Sequence, residues 1–337
     1  MSKFVSDQLD QPLDRADATP PSGGSGVPFA YHRPVLVAEI LEAFAPISGR
    51  LILDGTLGGG GHSRALLEKG AKIIGLDRDG GAIGYCIQHL VVYDGDTVRF
   101  VRANFRDLSS VLTNLKIHKM DGILLDLGVS SAQLDRAERG FSFQKAGPLD
   151  MRMDQSAPET AASIVNGASQ DELQRMFWLY GEEPAARKVA AAIVKKREEK
   201  PFEDTLSLAQ LVETVIPKHG PRHPATRVFQ ALRMAVNDEL GALEEALETA
   251  AHCLNPGGRL AVITFHSLED RIVKNFARET SAETIDRPEW PQPRPNPRHA
   301  FRTVQRRAIQ ASEAEQRENP RSRSAKLRVL ERISPSR

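Results

Sequence analysis

The residues that could do chemistry begin with a carboxylate and a run of glycines. The apolar stretch Leu51–Asp54 is typical of a short buried strand, and Gly-Thr-Leu and four glycines separate it from His62. Glycine lets the backbone turn sharply and approach a ligand without a Cβ in the way. A second apolar stretch ends at Asp77, 23 residues beyond Asp54, where a carboxylate can accept hydrogen bonds from ribose hydroxyls. This pattern predicts a nucleoside-containing ligand.

The details of the loop favour one class of ligand. A dinucleotide fingerprint needs Gly-x-Gly-x-x-Gly, and counting from Gly58 puts Ser63 where the third glycine belongs. A Walker-type phosphate loop needs a lysine after the glycines, and this loop continues with Gly-His-Ser. Asp54 would repel a pyrophosphate but suits the sulfonium and ammonium groups of S-adenosylmethionine. The loop therefore predicts a methyltransferase, with a nicotinamide-dependent oxidoreductase as the alternative on the same fold.

Composition limits the class of protein. A chain of 337 residues with 40% hydrophobic residues can bury one large core or two ordinary ones. It has no apolar run of membrane-spanning length and no signal pattern, so we expect a soluble protein of the cytoplasm. The two cysteines, Cys86 and Cys253, lie outside any Cys-x-x-Cys pair, which argues against disulfides and a metal site. With a net charge of only +1, any nucleic acid must be bound by a local basic surface.

The order of apolar patterns predicts the architecture. Residues 1–30 are polar and rich in proline, glycine and serine, and we expect a disordered tail. From residue 31 onward, strand and helix patterns alternate, which predicts an α/β fold with a Rossmann-like, doubly wound parallel sheet, as in class I methyltransferases. The expected strands are 51–54, 72–76, 97–102, 121–126, 259–265 and 325–331.

About a hundred residues in the middle of the chain break this alternation. Helical patterns near 170–180, 185–199 and 206–216 occur there without a strand candidate, which predicts an inserted all-α domain. We expect the methyltransferase domain to comprise residues 31–133 and 236–337, and residues 134–235 to form a helical substrate-recognition domain. One long helix, from about 224 to 254, is expected to lead back to the sheet.

Several side chains near the predicted strand ends are candidates for a site. Phe105 could pack on an adenine, although a core phenylalanine fits equally well. Asp126 closes an apolar strand, and a carboxylate in that position is costly unless it has a partner. His62 could contact the cofactor or help to start a helix. Ser267 fits the first position of a capping box, and His266 before it could face the substrate.

Arginines dominate the C-terminal third. Between Trp290 and Ser312 there is no acidic residue, and the arginines alternate with prolines, a histidine and a phenylalanine. Such a segment suits phosphate contact and base stacking in single-stranded RNA, although a solvated proline-rich loop is the alternative. The basic residues that could contribute are Arg294, Arg298, Arg302, Arg306, Arg307, Arg321, Arg323, Lys326 and Arg328, with Arg187, Lys188, Lys195, Lys196 and Arg197 on a predicted helix.

Longer motifs occur along the chain. They are His32-Arg-Pro-Val-Leu36, Asp54-Gly-Thr-Leu-Gly-Gly-Gly-Gly-His-Ser63, Asp121-Gly-Ile-Leu-Leu-Asp-Leu-Gly-Val-Ser-Ser131, Glu138-Arg-Gly-Phe-Ser-Phe143, Gly147-Pro-Leu-Asp-Met-Arg-Met-Asp154, His223-Pro-Ala-Thr-Arg227, Phe265-His-Ser-Leu-Glu-Asp-Arg-Ile-Val-Lys274 and Asn319-Pro-Arg-Ser-Arg-Ser324. Together they resemble a known family, the bacterial ribosomal RNA small-subunit methyltransferase H (MraW) family. The resemblance covers about residues 31 to 332, and motifs of this length in this order are highly specific.

The resemblance implies an activity and a site. Members of the family transfer a methyl group from S-adenosylmethionine to the exocyclic N4 of a cytidine in the decoding region of 16S rRNA, so the small ribosomal subunit is the implied partner. The oligomeric state is not implied. The cofactor contacts implied by the matching motifs are Gly60, Gly61, His62, Asp77, Phe105, Asp126 and Gln133.

The implied chemistry is simple. An amine nitrogen attacks the sulfonium methyl group in line, so the enzyme supplies proximity and orientation and needs no covalent nucleophile. Asp126 and His266 are the candidates for the proton acceptor, and the sequence does not choose between them. A non-catalytic RNA-binding protein remains the second alternative. The candidates that could hold the cytosine are Phe141, Phe143, Phe265 and His266.

Overall fold

The structure, a computed structural model, describes residues 34–90, 92–93, 96–218, 220 and 223–334. The predicted tail, residues 1–30, lies outside the described residues. The α-helices are α1 (Val37–Phe44), α2 (Gly61–Leu67), α3 (Gly80–His89), α4 (Leu108–Asn114), α5 (Ser131–Asp135), α6 (Ala161–Gly167), α7 (Gln170–Leu179), α8 (Ala186–Glu199), α9 (Thr205–Val215), α10 (Thr226–Asn237), α11 (Glu239–Cys253), α12 (Ser267–Ser281) and α13 (Glu313–Glu318).

The strands follow the predicted pattern closely. Each predicted strand forms, and its bounds differ from the prediction by at most one residue, except that the strand expected at 259–265 already begins at Leu254. The strands are β1 (Leu51–Asp54), β2 (Lys72–Asp77), β3 (Val98–Arg102), β4 (Met120–Asp126), β5 (Leu254–Thr264), β6 (Thr284–Ile285), β7 (Arg294–Pro295), β8 (Phe301–Thr303), β9 (Ile309–Gln310) and β10 (Lys326–Arg332).

The main sheet has the order β3-β2-β1-β4-β5-β10-β8, with β9 also paired to β10. Strands β1 to β5 are parallel to their neighbours, whereas β10 runs antiparallel to β5. The chain order reverses at β1, because β2 and β4 lie on its two sides. Ligands bind outside the carboxyl ends of parallel strands at such a reversal. The predicted α/β fold with a Rossmann-like, doubly wound sheet is confirmed.

Apolar side chains cover both faces of this sheet. Successive residues of a strand point to opposite faces, so neighbours along β1, Ile52 and Leu53, belong to different hydrophobic clusters. Helices α4, α11 and α12 pack on the face of Leu53, and α1, α2 and α3 pack on the face of Ile52. Burial on both faces gives the strands their nearly continuous apolar sequences.

The helices between β4 and β5 build a hydrophobic cluster of their own. It extends from Phe141 to Leu232 and draws its buried residues from α6, α7, α8, α9 and α10. This range falls inside the predicted insertion 134–235, although the described residues from Pro34 onward belong to one compact unit. No helix in the described part of the chain combines the length and apolarity that crossing a membrane requires.

The prediction of a single long helix over 224–254 is wrong. Two helices, α10 and α11, replace it, because Asp238 between them adopts a left-handed backbone conformation with φ of +42°. The amide side chain of Asn237 fixes the break. Its Oδ1 accepts a hydrogen bond from the Met153 amide at 2.8 Å, and its Nδ2 donates to the Met151 carbonyl at 2.8 Å. Apolar spacing continues across the break because both helices bury a face.

Candidate functional site

A cavity of about 360 Å³ lies at the carboxyl ends of the parallel strands. Its volume is in the range of small-molecule sites. The lining includes residues that end or follow each of the five parallel strands: Gly55, Asp77, Ala103, Asp126 and Phe265. Of the seven cofactor contacts predicted from the motifs, six line the cavity: Gly61, His62, Asp77, Phe105, Asp126 and Gln133.

Gly60 is the predicted contact that does not line the cavity. Its amide donates to the Leu57 carbonyl at 2.7 Å, and its carbonyl accepts from the Arg64 amide at 2.8 Å. Its φ is +72°, and a Cβ at this position would lie 2.9 Å from Cys86 Sγ. The backbone groups of Gly60 are therefore used within the loop, and the residue has to be glycine for the turn.

Asp77 ties the glycine loop to the second strand. Its Oδ2 accepts a hydrogen bond from the Gly58 amide at 2.8 Å, and its Oδ1 accepts one from the Asp79 amide at 2.8 Å. Burial raises the pKa of Asp77 to about 6, although both amide hydrogen bonds act to lower it. Each carboxylate oxygen keeps a further lone pair, so Asp77 can also accept hydrogen bonds from the hydroxyls of a ligand.

Gln133 and Phe105 form further parts of the cavity wall. Phe105 begins a turn of 3₁₀ helix after β3 and is 8% exposed. The side chain of Gln133 is held at both ends, because its Oε1 accepts from the Ser130 amide at 3.0 Å and its Nε2 donates to Asp79 Oδ2 at 3.1 Å. Asp79 in turn caps α3 by accepting from the Gly81 amide at 2.9 Å. The wall is thus fixed before any ligand binds.

Arg139 supports this wall from behind through Asp79, and the sequence reasoning gave it no role. Its Nη1 donates to Asp79 Oδ2 at 2.7 Å, and its Nη2 donates to the carbonyls of Arg152 and Met153 at 2.9 and 3.0 Å. The guanidinium is buried and joins the start of α3 to the segment before α6. Arg139 belongs to the motif that begins at Glu138, which could have marked it as a functional residue. The spacing within that motif, however, does not reveal that Asp79 is its partner.

Asp126 brings an unpaired carboxylate oxygen to the cavity. Its Oδ1 is buried and has no hydrogen-bond partner among the described residues. His62 Nε2 lies 2.7 Å from the Val35 carbonyl and therefore carries a proton that it donates there, while His62 Nδ1 lies 3.6 Å from Asp126 Oδ2. Burial raises the pKa of Asp126 to about 6, with His62 acting against that rise. An orphan acceptor of this kind fits a ligand that brings a donor or a positive charge.

Asp54 does not have the position that the loop sequence predicted for it. It is 2% exposed and does not line the cavity. Its Oδ2 accepts from Ser63 Oγ at 2.7 Å, and its Oδ1 accepts from the Thr56 amide at 3.2 Å. The expected contact of Asp54 with a cationic ligand is therefore wrong, because its carboxylate lies below the loop and fastens it to α2. Asp126 on the neighbouring strand reaches the cavity instead.

His266 and Glu269 form a pair on the cavity wall at the start of α12. His266 is the N-cap, and its Nε2 lies 3.0 Å from Glu269 Oε1. Burial opposes ionisation of Glu269, but the hydrogen bond and charge of His266 outweigh it and lower the pKa of Glu269. The prediction that Ser267 is the N-cap is wrong by one residue, because His266 takes that position. Ser267 Oγ instead donates to Glu182 Oε2 in the helical region at 2.7 Å.

Two of the four candidates for holding the base line the cavity, namely Phe265 and His266. Phe141 and Phe143 instead belong to the hydrophobic cluster of the helical region, and the ring of Phe143 lies 4.8 Å from that of Phe229. The spacing of aromatic residues along the chain does not separate these two environments.

Burial also raises the pKa of the Cys86 thiol to about 12, so this cysteine is not an activated nucleophile.

The cavity also has a buried ion pair that the sequence did not reveal. Arg233 of α10 and Glu239 of α11 both line it, with Nε to Oε1 at 2.8 Å and Nη2 to Oε2 at 2.9 Å. Arg78, which also lines it, donates to the Asn237 carbonyl at 2.8 Å. These groups meet only because the chain breaks between α10 and α11, and the sequence had predicted one continuous helix there.

Five of the nine C-terminal basic residues named above have acidic partners, among them Arg321, which lies 3.7 Å from Asp135. Arg298 pairs with Glu279 at 2.7 Å and with Glu248, and Arg302 pairs with Glu331 at 2.7 Å. Lys326 and Arg328 both pair with Asp270, at 3.2 and 2.8 Å. The segment 290–312 is acid-free in sequence, but its partners come from elsewhere in the fold.

Comparison with known proteins gives a consistent result. A model of the MraW methylase family matches residues 29–333 of the chain. A protein named ribosomal RNA small subunit methyltransferase H from Heliobacterium mobile is 49% identical over 310 residues, which cover 90% of this chain and 99% of that protein. A protein of the same name from Rhizobium leguminosarum bv. trifolii is 50% identical over 315 residues, covering 92% and 90% of the two chains.

Proposed function

The chain belongs to the MraW methylase family, and we propose that it transfers a methyl group from S-adenosylmethionine to the exocyclic N4 of a cytidine in the decoding region of 16S rRNA. The predicted methyltransferase activity and its cofactor are thereby confirmed at the level of the family. Neither the nicotinamide-dependent oxidoreductase nor the non-catalytic RNA-binding protein is supported. We place the reaction in the cytoplasm, on the small ribosomal subunit.

The observation that carries this proposal is the unpaired Oδ1 of Asp126 in a cavity lined by Asp77 and Phe105, which we infer to be the nucleoside site. Asp77 is available to the ribose hydroxyls, and Phe105 to the adenine. Bound S-adenosylmethionine supplies an electrophilic methyl group on a sulfonium. The raised pKa of Asp126 reflects burial that the nearby His62 offsets only in part, and a cationic cofactor relieves the remaining cost when it binds.

Asp126 is the better of the two candidate proton acceptors. The N4 nitrogen loses a proton when it gains the methyl group, so an acceptor must lie beside it. The two ring nitrogens of His266 both face Glu269: Nε2 lies 3.0 Å from its carboxylate, and Nδ1 accepts from its amide at 3.4 Å. Asp126 Oδ1 and His266 Nε2 both lack a hydrogen-bond partner among the described residues, but Nε2 faces the Glu269 carboxylate, so we assign the proton to Asp126, whose carboxylate also feels the positive charge of the cofactor. In this scheme Asp126 accepts the amine hydrogen, and Phe265 and His266 form the wall against which the cytosine lies.

The helical region, residues 134–235, forms the substrate lobe in this proposal. A cytosine in folded rRNA must be extruded to bring its amine to the methyl group, and extrusion requires a protein surface that holds the strand. The lobe is positioned for this task because Met153 lines the cavity and Glu182 of the lobe contacts Ser267, next to His266.

Methyl transfer from labelled S-adenosylmethionine to purified small subunits tests the function. We expect label in 16S rRNA when the subunits come from cells that lack the activity, and no further label when they come from cells that have it. Calorimetric titration should show binding of S-adenosylmethionine and none of NAD. If 16S rRNA from cells that lack the activity stays unlabelled although the protein binds S-adenosylmethionine, the proposed substrate is refuted.

A further inference from the structure

Trp178 is an exposed tryptophan on the helical region. It lies near the end of α7 with 60% of its surface exposed, beside Leu179 at 47%. The second tryptophan of the chain, Trp290, contacts two guanidinium groups, Arg287 and Arg294, at 4.9 and 4.7 Å from its ring centre. Within the described parts of the chain, no such ring or cation contact covers Trp178. Its aromatic face is therefore available to a partner.

Three basic side chains lie near the turn that joins α7 to α8. Arg175 lies three residues before Trp178 and so on the same side of α7, while Arg187 and Lys188 lie in the first turn of α8, which packs against α7. All three are exposed. Unlike Arg298, Arg302 and Arg328 near the C-terminus, none of them forms an ion pair with a carboxylate of the described residues. This corner of the lobe thus combines an exposed aromatic ring with unpaired positive charge.

The turn between α7 and α8 fixes this corner beside the cavity. Glu182 in the turn has a left-handed backbone with φ of +46°. Its carboxylate accepts from Ser267 Oγ at 2.7 Å and from Arg271 Nη2 at 3.2 Å, both on α12. Ser267 directly follows His266, which lines the cavity. The turn, four residues after Trp178, is thus anchored to the residue that follows His266 of the cavity wall.

We propose that this corner, formed by Arg175, Trp178, Arg187 and Lys188, binds a single-stranded stretch of RNA next to the methylated nucleotide. The inference rests on the proposed function. Aromatic rings in RNA-binding proteins stack on unpaired bases, and arginine or lysine beside them contacts the phosphates. Extruding the target base opens the strand and exposes the face of a neighbouring base, which Trp178 then covers.

Tryptophan fluorescence tests the contact without depending on catalysis. The variant Trp290→Phe retains Trp178 as the single tryptophan. Titration with a single-stranded RNA oligonucleotide of the target sequence should quench its fluorescence to saturation, whereas the matched variant Trp178→Phe, which reports from Trp290, should show little change. Quenching by small subunits but not by RNA would overturn the proposal in favour of a ribosomal protein. A Trp178-dependent dimer in sedimentation would overturn it in favour of a second copy.

Steady-state kinetics provide the second test. Stacking of a base on an aromatic side chain corresponds to about a 5- to 150-fold effect on affinity. Trp178→Ala should therefore raise KM for the small subunit within that range, leave KM for S-adenosylmethionine unchanged, and be largely rescued in Trp178→Phe. An unchanged KM in Trp178→Ala with an active wild type would overturn the inference and leave the function standing. An inactive wild type would refute the proposed function, and the fluorescence result would still decide the RNA contact.

Discussion

Asp126 is a partly buried carboxylate, with 24% of its side chain exposed, and its buried Oδ1 has no hydrogen-bond partner among the described residues, so the folded protein resists its ionisation. Its pKa near 6 lies above the ordinary value of 3.8. Between these values the folded state binds more protons than the unfolded state, and stability therefore falls as pH rises from about 4 to about 6. At about 1.4 kcal/mol per pKa unit, the penalty at neutral pH approaches 3 kcal/mol as an upper limit.

The variant Asp126→Asn should remove that penalty and the activity together. We expect the ligand-free variant to be more stable than wild type at pH 7.5, by up to about 3 kcal/mol, and close to wild type at pH 4. Methyl transfer should be lost, because the amide cannot take the amine proton. Urea unfolding at the two pH values measures the difference. If the variant is less stable than wild type at pH 7.5, ionisation of Asp126 does not destabilise the folded protein.

At the scale of elements, the buried pair of Arg139 and Asp79 joins the sheet to the helical lobe. Removing one partner of a buried ion pair leaves the other charge uncompensated, at a cost of about 3–5 kcal/mol. Arg139→Met should therefore destabilise the protein by that amount. The matched control is Arg317→Met, whose pair with Glu313 is exposed on both sides and should cost less than about 1 kcal/mol. Equal effects in thermal unfolding would show that the Arg139 link is not structural.

The two basic surfaces should behave differently toward RNA. Because Arg298 and Arg302 are held by carboxylates, replacing both with alanine should change the salt dependence of RNA binding little. Replacing Arg187 and Lys188 should flatten it, by a log–log slope of about 0.7 per lost single-strand contact. Filter binding over a range of salt concentrations measures both slopes. If replacing Arg298 and Arg302 flattens the salt dependence more than replacing Arg187 and Lys188, the segment 290–312 is the RNA-binding surface, as the sequence alone had suggested.

For the whole molecule, the sequence predicted what depends on local patterns and missed what depends on distant contacts. The strands were predictable because burial on both faces leaves continuous apolar runs. Asp77 and Asp126 were predictable as site residues because each ends such a run. The break at Asp238 was not, since side-chain hydrogen bonds of Asn237 to a remote segment create it. The acidic partner of Arg302, Glu331, was also hidden, because 29 residues separate them in sequence. The pair of Arg233 with Glu239 depends on the same break.

The identity of the methylated nucleoside tests the central claim most directly. Small subunits methylated in vitro by the purified protein should be digested to nucleosides and analysed by tandem mass spectrometry against N4-methylcytidine, 5-methylcytidine and 2′-O-methylcytidine standards. A cavity with an orphan carboxylate and no activated cysteine predicts N4-methylcytidine, located by fragment mapping in the decoding region. Methyl groups found on carbon 5 or on the ribose, or on a base other than cytosine, would contradict this account of the site.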